Sequence, residues 1–221
     1  MVVTISLVLY INIDKLHSSI IMLKDVQLEI EQENIFVETE RFFLREILYT
    51  DVEGMFELDS DTDVHTYIGN QLVRTKEQSI EVIDFIRKQY VDNGIGRWAI
   101  IDKQSKEFIG WTGLRFETIL THNHINYYDL GYRLIKKYWG RGIATETALA
   151  SLSYAFNKLQ TEEVFAMADI FNVASNRVLQ KVGLQLIESF PLEGIEHNWY
   201  QITRSAFKEQ EAHIQCKIIL Y

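Results

Sequence analysis

Cysteine and proline are almost missing from this chain of 221 residues: there is one of each, Cys216 and Pro191. A lone cysteine cannot close an internal disulfide or furnish a four-ligand zinc site, so no metal is expected. That usage fits a reducing compartment, and a cytoplasmic location is expected. With no Pro/Gly/Ser-rich stretch there is no linker, which points to one continuous domain. Long apolar runs are absent too: nothing approaches the ~20 apolar residues of a membrane span, so no membrane partner is expected. The nearest run, residues 1–13, lacks the basic start and small-residue cleavage site of a signal peptide. It reads as a short strand or as an extension upstream of the native start, with Met22 an alternative first residue. Positive charge is in deficit, 22 Lys and Arg against 31 Asp and Glu, for a net charge of −9. That sign repels phosphate backbones and argues against direct nucleic acid binding. Acids lining a cleft would instead favour a cationic substrate.

What is present is ordinary globular composition, 47% apolar and 24% charged. Residues 1–35 and 208–221 read as a peripheral extension and tail around a domain at 36–207. Within it, strands are expected at 41–46, 97–101, 107–116, 126–135, 163–169, 184–190 and 197–203, from apolar and β-branched runs between polar turns. Helices are expected at 51–58, with Thr50 as N-cap, at 75–91, at about 142–158 and at 172–183. The second has Thr75 and Gln78 at capping-box spacing, the stripe Ile80, Ile83, Ile86 and Tyr90, and Gly94 beyond its end. An early helical pair, an antiparallel hairpin and one strand–helix–strand crossover make a mixed α/β sheet, not a doubly wound parallel one.

The richest segment runs from Asp129 to Glu146, DLGYRLIKKYWGRGIATE. A strand enters a glycine-containing loop, and the loop opens a helix. Glycines let backbone N–H groups approach a ligand closely, and a helix N-terminus adds unpaired donors and positive partial charge. Together they can cradle a diphosphate; a plain tight turn before a helix would read the same way. Gly140-x-Gly142-x-x-Thr145 also approaches a dinucleotide fingerprint, but lacks the third glycine and follows some 130 residues of other fold. A nicotinamide-dependent oxidoreductase is disfavoured accordingly.

Asp129-Leu-Gly131-Tyr132 with Trp139-Gly-Arg-Gly-Ile-Ala-Thr-Glu146 resembles the first motif of the GNAT superfamily of N-acetyltransferases. The similarity is closest to the branch that acetylates the N-termini of ribosomal proteins. The second family motif, Asn-x-x-Ser followed by Lys-x-Gly, is similar to Asn172-Val-Ala-Ser175 and Lys181-Val-Gly183, about 30 residues on. Trp98–Asp102 and Phe108–Leu114 look like the central hairpin. The resemblance covers roughly residues 36–207. It implies a mostly antiparallel twisted sheet of six to seven strands with one splayed parallel pair, flanked by about four helices.

It further implies acetyl-CoA as cosubstrate and a primary amine as acceptor, by branch similarity the N-terminal α-amine of a protein such as a ribosomal protein, with a small amine (a polyamine, an amino acid or an antibiotic) as the alternative. A monomer or homodimer is expected. The splayed pair would admit the pantetheine arm, with Leu134 and Ile135 pairing to its amides and a backbone N–H near Leu134 polarising the thioester carbonyl. Arg141, Gly142, Ile143, Ala144 and Thr145 would hold the diphosphate, and Asn172 would lie near pantetheine. Asp129, where the family often has Glu, would take the amine proton directly or through water. Many members use a tyrosine seven residues after the Asn to protonate the leaving thiolate. Here that residue is Leu179, which leaves Ser175 as the available hydroxyl unless it only serves the helix start. These departures keep a CoA-binding module without catalysis as the alternative.

Other residues carry less. Asp59, Asp61 and Asp63 begin like a calcium loop, but Val64 and Asn70 stand where Gly and Glu are required. The same acids could draw in a cationic amine, or be a solvated helix-end cluster. His122 and His124 have no third ligand nearby. His197 could border the acceptor site, and Trp98, Trp111 and Trp199 read as core or cleft-wall aromatics.

Overall fold

The computed structural model describes residues 34–69, 71–211 and 218–221. The 1–13 run, Met22, Asn70 and Cys216 lie outside them. Among the described residues nine strands form one sheet: β1 (Ile35–Glu38), β2 (Phe42–Glu46), β3 (Arg97–Asp102), β4 (Phe108–Glu117), β5 (Tyr127–Leu134), β6 (Glu163–Asp169), β7 (Gln185–Leu192), β8 (Ile195–Thr203) and β9 (Ile219–Leu220). Their spatial order is β7-β8-β6-β5-β4-β3-β2-β1-β9. All neighbours are antiparallel except β5 and β6. The helices are α1 (Val52–Ser60), α2 (Thr62–His65), α3 (Lys76–Asn93), α4 (Ile143–Asn157), α5 (Val173–Lys181) and α6 (Arg204–Glu211). None of them is long and apolar enough to cross a membrane.

The mixed sheet with one parallel pair is the architecture the resemblance implies. It is wider than six or seven strands because β1 and β9 extend one edge, pairing Val37 with Leu220 and Glu38 with Ile219. Both are too short for period-2 alternation to announce them. Two helices, α2 and α6, were likewise unannounced; α2 is a single turn.

Local chemistry explains most boundaries. Thr75 accepts from Gln78 N–H, Gln78 returns the bond, and Gly94 ends α3 in the left-handed conformation at φ 69°. Thr50 does not cap the first helix. A 3₁₀ turn, Tyr49–Asp51, intervenes, and α1 starts at Val52. Asp51 decides this: its Oδ2 accepts from Leu48 N–H at 2.8 Å while both its oxygens bind the Arg45 guanidinium, at 2.7 and 2.8 Å.

The helices cover the two sheet faces. On one, α4 packs with Tyr154 edge-on to Trp98, which is itself stacked on Phe36. On the other, α1 reaches β5 through Asp59 and Arg133. The core is one large apolar cluster that includes Leu44, Trp98, Leu114, Leu130, Ala148 and Val164. A second cluster of Tyr127, Phe165, Phe190 and Trp199 lies toward β7 and β8.

The Arg45–Asp51 pair is bidentate and almost fully buried, so removing Asp51 takes two charge-assisted hydrogen bonds from a buried guanidinium. Asp51→Ala is expected to lower unfolding free energy by about 3–5 kcal/mol, read from urea denaturation.

Candidate active site

β5 and β6 touch through one register pair, Asp129 with Phe165, and then diverge. Each is fully engaged on its other side: β5 has eight pairs with β4, and β6 has seven with β8. Ile135 N–H donates to Ile109 O at 3.0 Å, so the backbone groups of the odd-numbered β5 residues face β4. By alternation, Leu130, Tyr132 and Leu134 face β6. Beyond the contact at Asp129, the N–H groups of Tyr132 and Leu134 therefore point into an open wedge. The Leu134 carbonyl accepts from Trp139 Nε1 at 2.8 Å. Of the two residues expected to pair with pantetheine, Leu134 offers its N–H to the wedge, whereas the Ile135 N–H is already spent on β4.

The wedge leads to the start of α4. Gly140 and Gly142 both adopt the left-handed conformation, at φ 73° and 72°, which reverses the chain twice within three residues. The first backbone bond of α4 runs from Glu146 N–H to Gly142 O at 3.1 Å. The N–H groups of Ile143, Ala144 and Thr145 lie before it and have no helical partner. These open donors, rather than the glycine pattern, are what fit the site to a diphosphate.

Across the wedge, Asn172 caps α5 by accepting from Ser175 N–H at 3.0 Å. The Ser175 hydroxyl lies 3.1 Å from Tyr132 Oη, and the Tyr132 hydroxyl also donates to Ser175 O at 3.0 Å. Tyr132 thus ties β5 to the helix that follows β6, and burial pushes its phenol well above the ordinary tyrosine range. Leu179, in place of a proton donor, is buried.

Asp129 lies on the sheet face away from α4, ion-paired with Arg97. Arg97 is on β3, two strands away, and it also donates to Asp129 O at 2.7 Å and to Gly113 O. Arg97, Gly113 and Gly131 stand in one cross-strand row. A Cβ on Gly131 would stand 2.7 Å from Arg97 Cζ, so the glycine opens the lane along which the guanidinium runs. Burial draws Arg97 below its usual value, and Asp129 opposes that shift. Beside this pair, Glu117 is ion-paired with Arg115, and burial raises its carboxyl above the usual range.

Most acids near the cleft have a cationic partner. Asp59 binds Arg133 at 2.5 Å, Asp63 pairs with Lys136, and Glu57 binds Lys137 at 2.9 Å. Asp61 caps α2 through Asp63 N–H at 2.8 Å. Buried His65 lies 3.6 Å from Asp59, and burial lowers its pKa from 6.5. Among the described residues, no three His, Cys, Asp or Glu are grouped to hold a metal ion. His122 and His124 belong to a tight turn, with Thr121 and His124 exchanging backbone bonds. His122 stacks on Phe190 at 4.1 Å, and His124 on Trp199 at 5.4 Å. His197 is half-buried and bonds Ile195 O at 2.9 Å; Trp98 and Trp199 are core, and Trp111 lies between Arg97 and Arg133.

Sequence reasoning missed Arg97, Arg115, Glu117 and Tyr132. The one signal for Arg97 was Gly113 opposite Gly131, a gap wide enough for a long side chain.

A family model described as an acetyltransferase (GNAT) domain matches residues 41–185. An N-acetyltransferase of Bacillus subtilis (strain 168), YoaA, itself uncharacterized, is 33% identical over 149 residues, 67% of this chain and 82% of its own. The solved GNAT-family acetyltransferase of Bacillus anthracis superposes with a TM-score of 0.65 at 24% identity, covering 77% of this chain and 99% of its own. Spermidine N-acetyltransferase of Vibrio cholerae, solved with CoA and spermine, superposes with a TM-score of 0.62 at 17% identity, over 76% and 98%. A sheet parted at one parallel pair, a helix opening on bare amides and a family match across both place this chain in the GNAT family of N-acetyltransferases.

Proposed function

We propose that this N-acetyltransferase moves the acetyl group of acetyl-CoA to the N-terminal α-amine of a protein, a ribosomal protein being the best-fitting class. One observation carries the cofactor side of the reading: after the single Asp129–Phe165 contact, the unpaired N–H groups of Tyr132 and Leu134 line a wedge that ends at the open amides of α4. Acetyl-CoA, when bound, supplies an activated thioester. Gly142, Ile143, Ala144 and Thr145 receive its diphosphate on backbone N–H groups, with Arg141 alongside. The Tyr132 and Leu134 N–H groups face the pantetheine amides and the thioester oxygen, whose developing charge they stabilise. Asn172 fixes the start of α5 on the far wall.

The acceptor amine must be neutral to attack. An α-amine has a pKa near 8 and a lysine one near 10.4, so at neutral pH the α-amine gives up its proton more readily. Asp129 Oδ2 is held by Arg97, which leaves Oδ1 to take that proton through a water. As the C–N bond forms and the C–S bond breaks, the thiolate takes up a proton, and the Ser175 hydroxyl, hydrogen-bonded to Tyr132, is the donor on the wedge wall.

The charge pattern supports an acceptor carrying a single charge. Asp59, Asp63, Glu57, Glu117 and Asp129 each already have a cationic partner, so little negative charge is left over to bind a polyamine. This tells against the expectation that Asp63 attracts the acceptor; Asp61, which caps α2 and forms no ion pair among the described residues, keeps its charge. Thiol release from acetyl-CoA, followed with Ala- or Ser-initiated peptides and with spermidine, tests the choice. Turnover of the peptides and not of spermidine is the expected outcome; the reverse would replace the protein acceptor with a small polyamine.

A second reading has its own observation: Glu117 has a carboxyl raised by burial and lies on the same face as Asp129. Asp129→Asn is expected to cut kcat by about 100-fold, with the KM for acetyl-CoA unchanged. The deficit should narrow as pH rises past about 8, where more than half of the α-amine is already neutral. Near-normal kcat in that variant with a deficient Glu117→Gln would move the base to Glu117.

A further inference from the structure

We infer that Arg41, far from the glycine loop in sequence, belongs to the diphosphate site: it fixes the loop and presents its remaining guanidinium edge to a phosphate oxygen. The inference rests on the acetyl-CoA reading above. Arg41 sits in the turn between β1 and β2, 105 residues before Glu146. Its Nε donates to Glu146 Oε2 at 2.6 Å, its backbone N–H to Glu146 Oε1 at 3.3 Å, and its Nη1 to the Arg141 carbonyl at 3.1 Å. One residue therefore ties the middle of the loop and the first turn of α4 to the far side of the sheet.

Glu146 makes this matter. A carboxylate in the first turn of a helix is drawn to the positive pole and its open N–H groups, where it would compete with an anionic ligand. Arg41 occupies both oxygens of Glu146 and so draws its charge away from the amides of Ile143, Ala144 and Thr145. The Arg41 side chain nevertheless stays 43% exposed. Its Nη2 forms no hydrogen bond among the described residues and lies 3.9 Å from where a Cβ on Gly142 would stand. A guanidinium with Nε and Nη1 engaged still has N–H groups free, in the planar geometry that suits phosphate.

Binding of CoA and of 3′-dephospho-CoA, measured by calorimetry on the wild-type chain and on Arg41→Gln, Arg41→Lys and Glu146→Gln, tests this. Arg41→Gln is expected to raise Kd for both ligands by on the order of tenfold or more. It should also raise the KM for acetyl-CoA while leaving kcat at saturation within about twofold. Arg41→Lys should recover part of the affinity, and Glu146→Gln, which removes the competing charge, should lose less than Arg41→Gln. A loss confined to CoA, with 3′-dephospho-CoA unaffected, would put Arg41 on the 3′-phosphate and overturn the inference. So would a fall in kcat with KM and Kd unchanged, the mark of a smaller folded fraction. Normal binding by Arg41→Gln beside a wild type that binds CoA refutes the role of Arg41 alone, whereas a wild type that does not bind CoA refutes the cofactor reading itself.

Discussion

The two halves of the sheet pair with each other at a single register position, Asp129 against Phe165. β1 to β5 and β9 form a continuous antiparallel block on one side, and β6 to β8 form another. Every strand within a block has a neighbour along its working length, so each block is satisfied without the other. The junction is parallel and therefore needs a crossover, which α4 supplies by covering one face. Its first turn then falls at the open end of the wedge. The gap, the bare amides and the placing of Asp129 at the vertex all follow from where pairing stops.

Much of this was legible in the residues because local rules and the tertiary structure agree. The capping box at Thr75, Gly94 beyond α3, Asn172 at the head of α5 and the seven central strands were all readable. The readings that missed are those where a partner distant in sequence decides. Thr50 loses the first helix to Asp51 because Arg45 and Leu48 claim that carboxylate. Asp129 reads as a solvated strand-end acid or a base, yet it lies over two glycines from a buried arginine. β9 exists only because β1 offers it an edge. Local pattern cannot report such pairings, although two glycines facing each other on neighbouring strands came close to doing so.

Electrostatics separates the two sides of the site. On the cofactor side, donors are left unpaired: the wedge N–H groups of β5 and the first amides of α4. On the proposed acceptor side most charges have a partner, and β5, β6 and β8 carry an aromatic cluster in which Phe165, Trp199 and Tyr127 touch, with His124 stacked on Trp199 and His122 on Phe190. An acidic chain thus presents local positive potential where a phosphate ligand would sit, and near-neutrality where the amine would arrive. The net charge of −9 described neither region.

The Tyr132–Ser175 bridge bears on how the gap keeps its width. In the proposed complex, an extended amide-bearing ligand would lie between β5 and β6 much as a tenth strand would, taking the hydrogen bonds that neither half can offer the other. Loading the enzyme and stitching its sheet would then be one event. Until that happens, a phenol resting on a serine is the cross-brace holding the slot at the gauge of the strand it lacks.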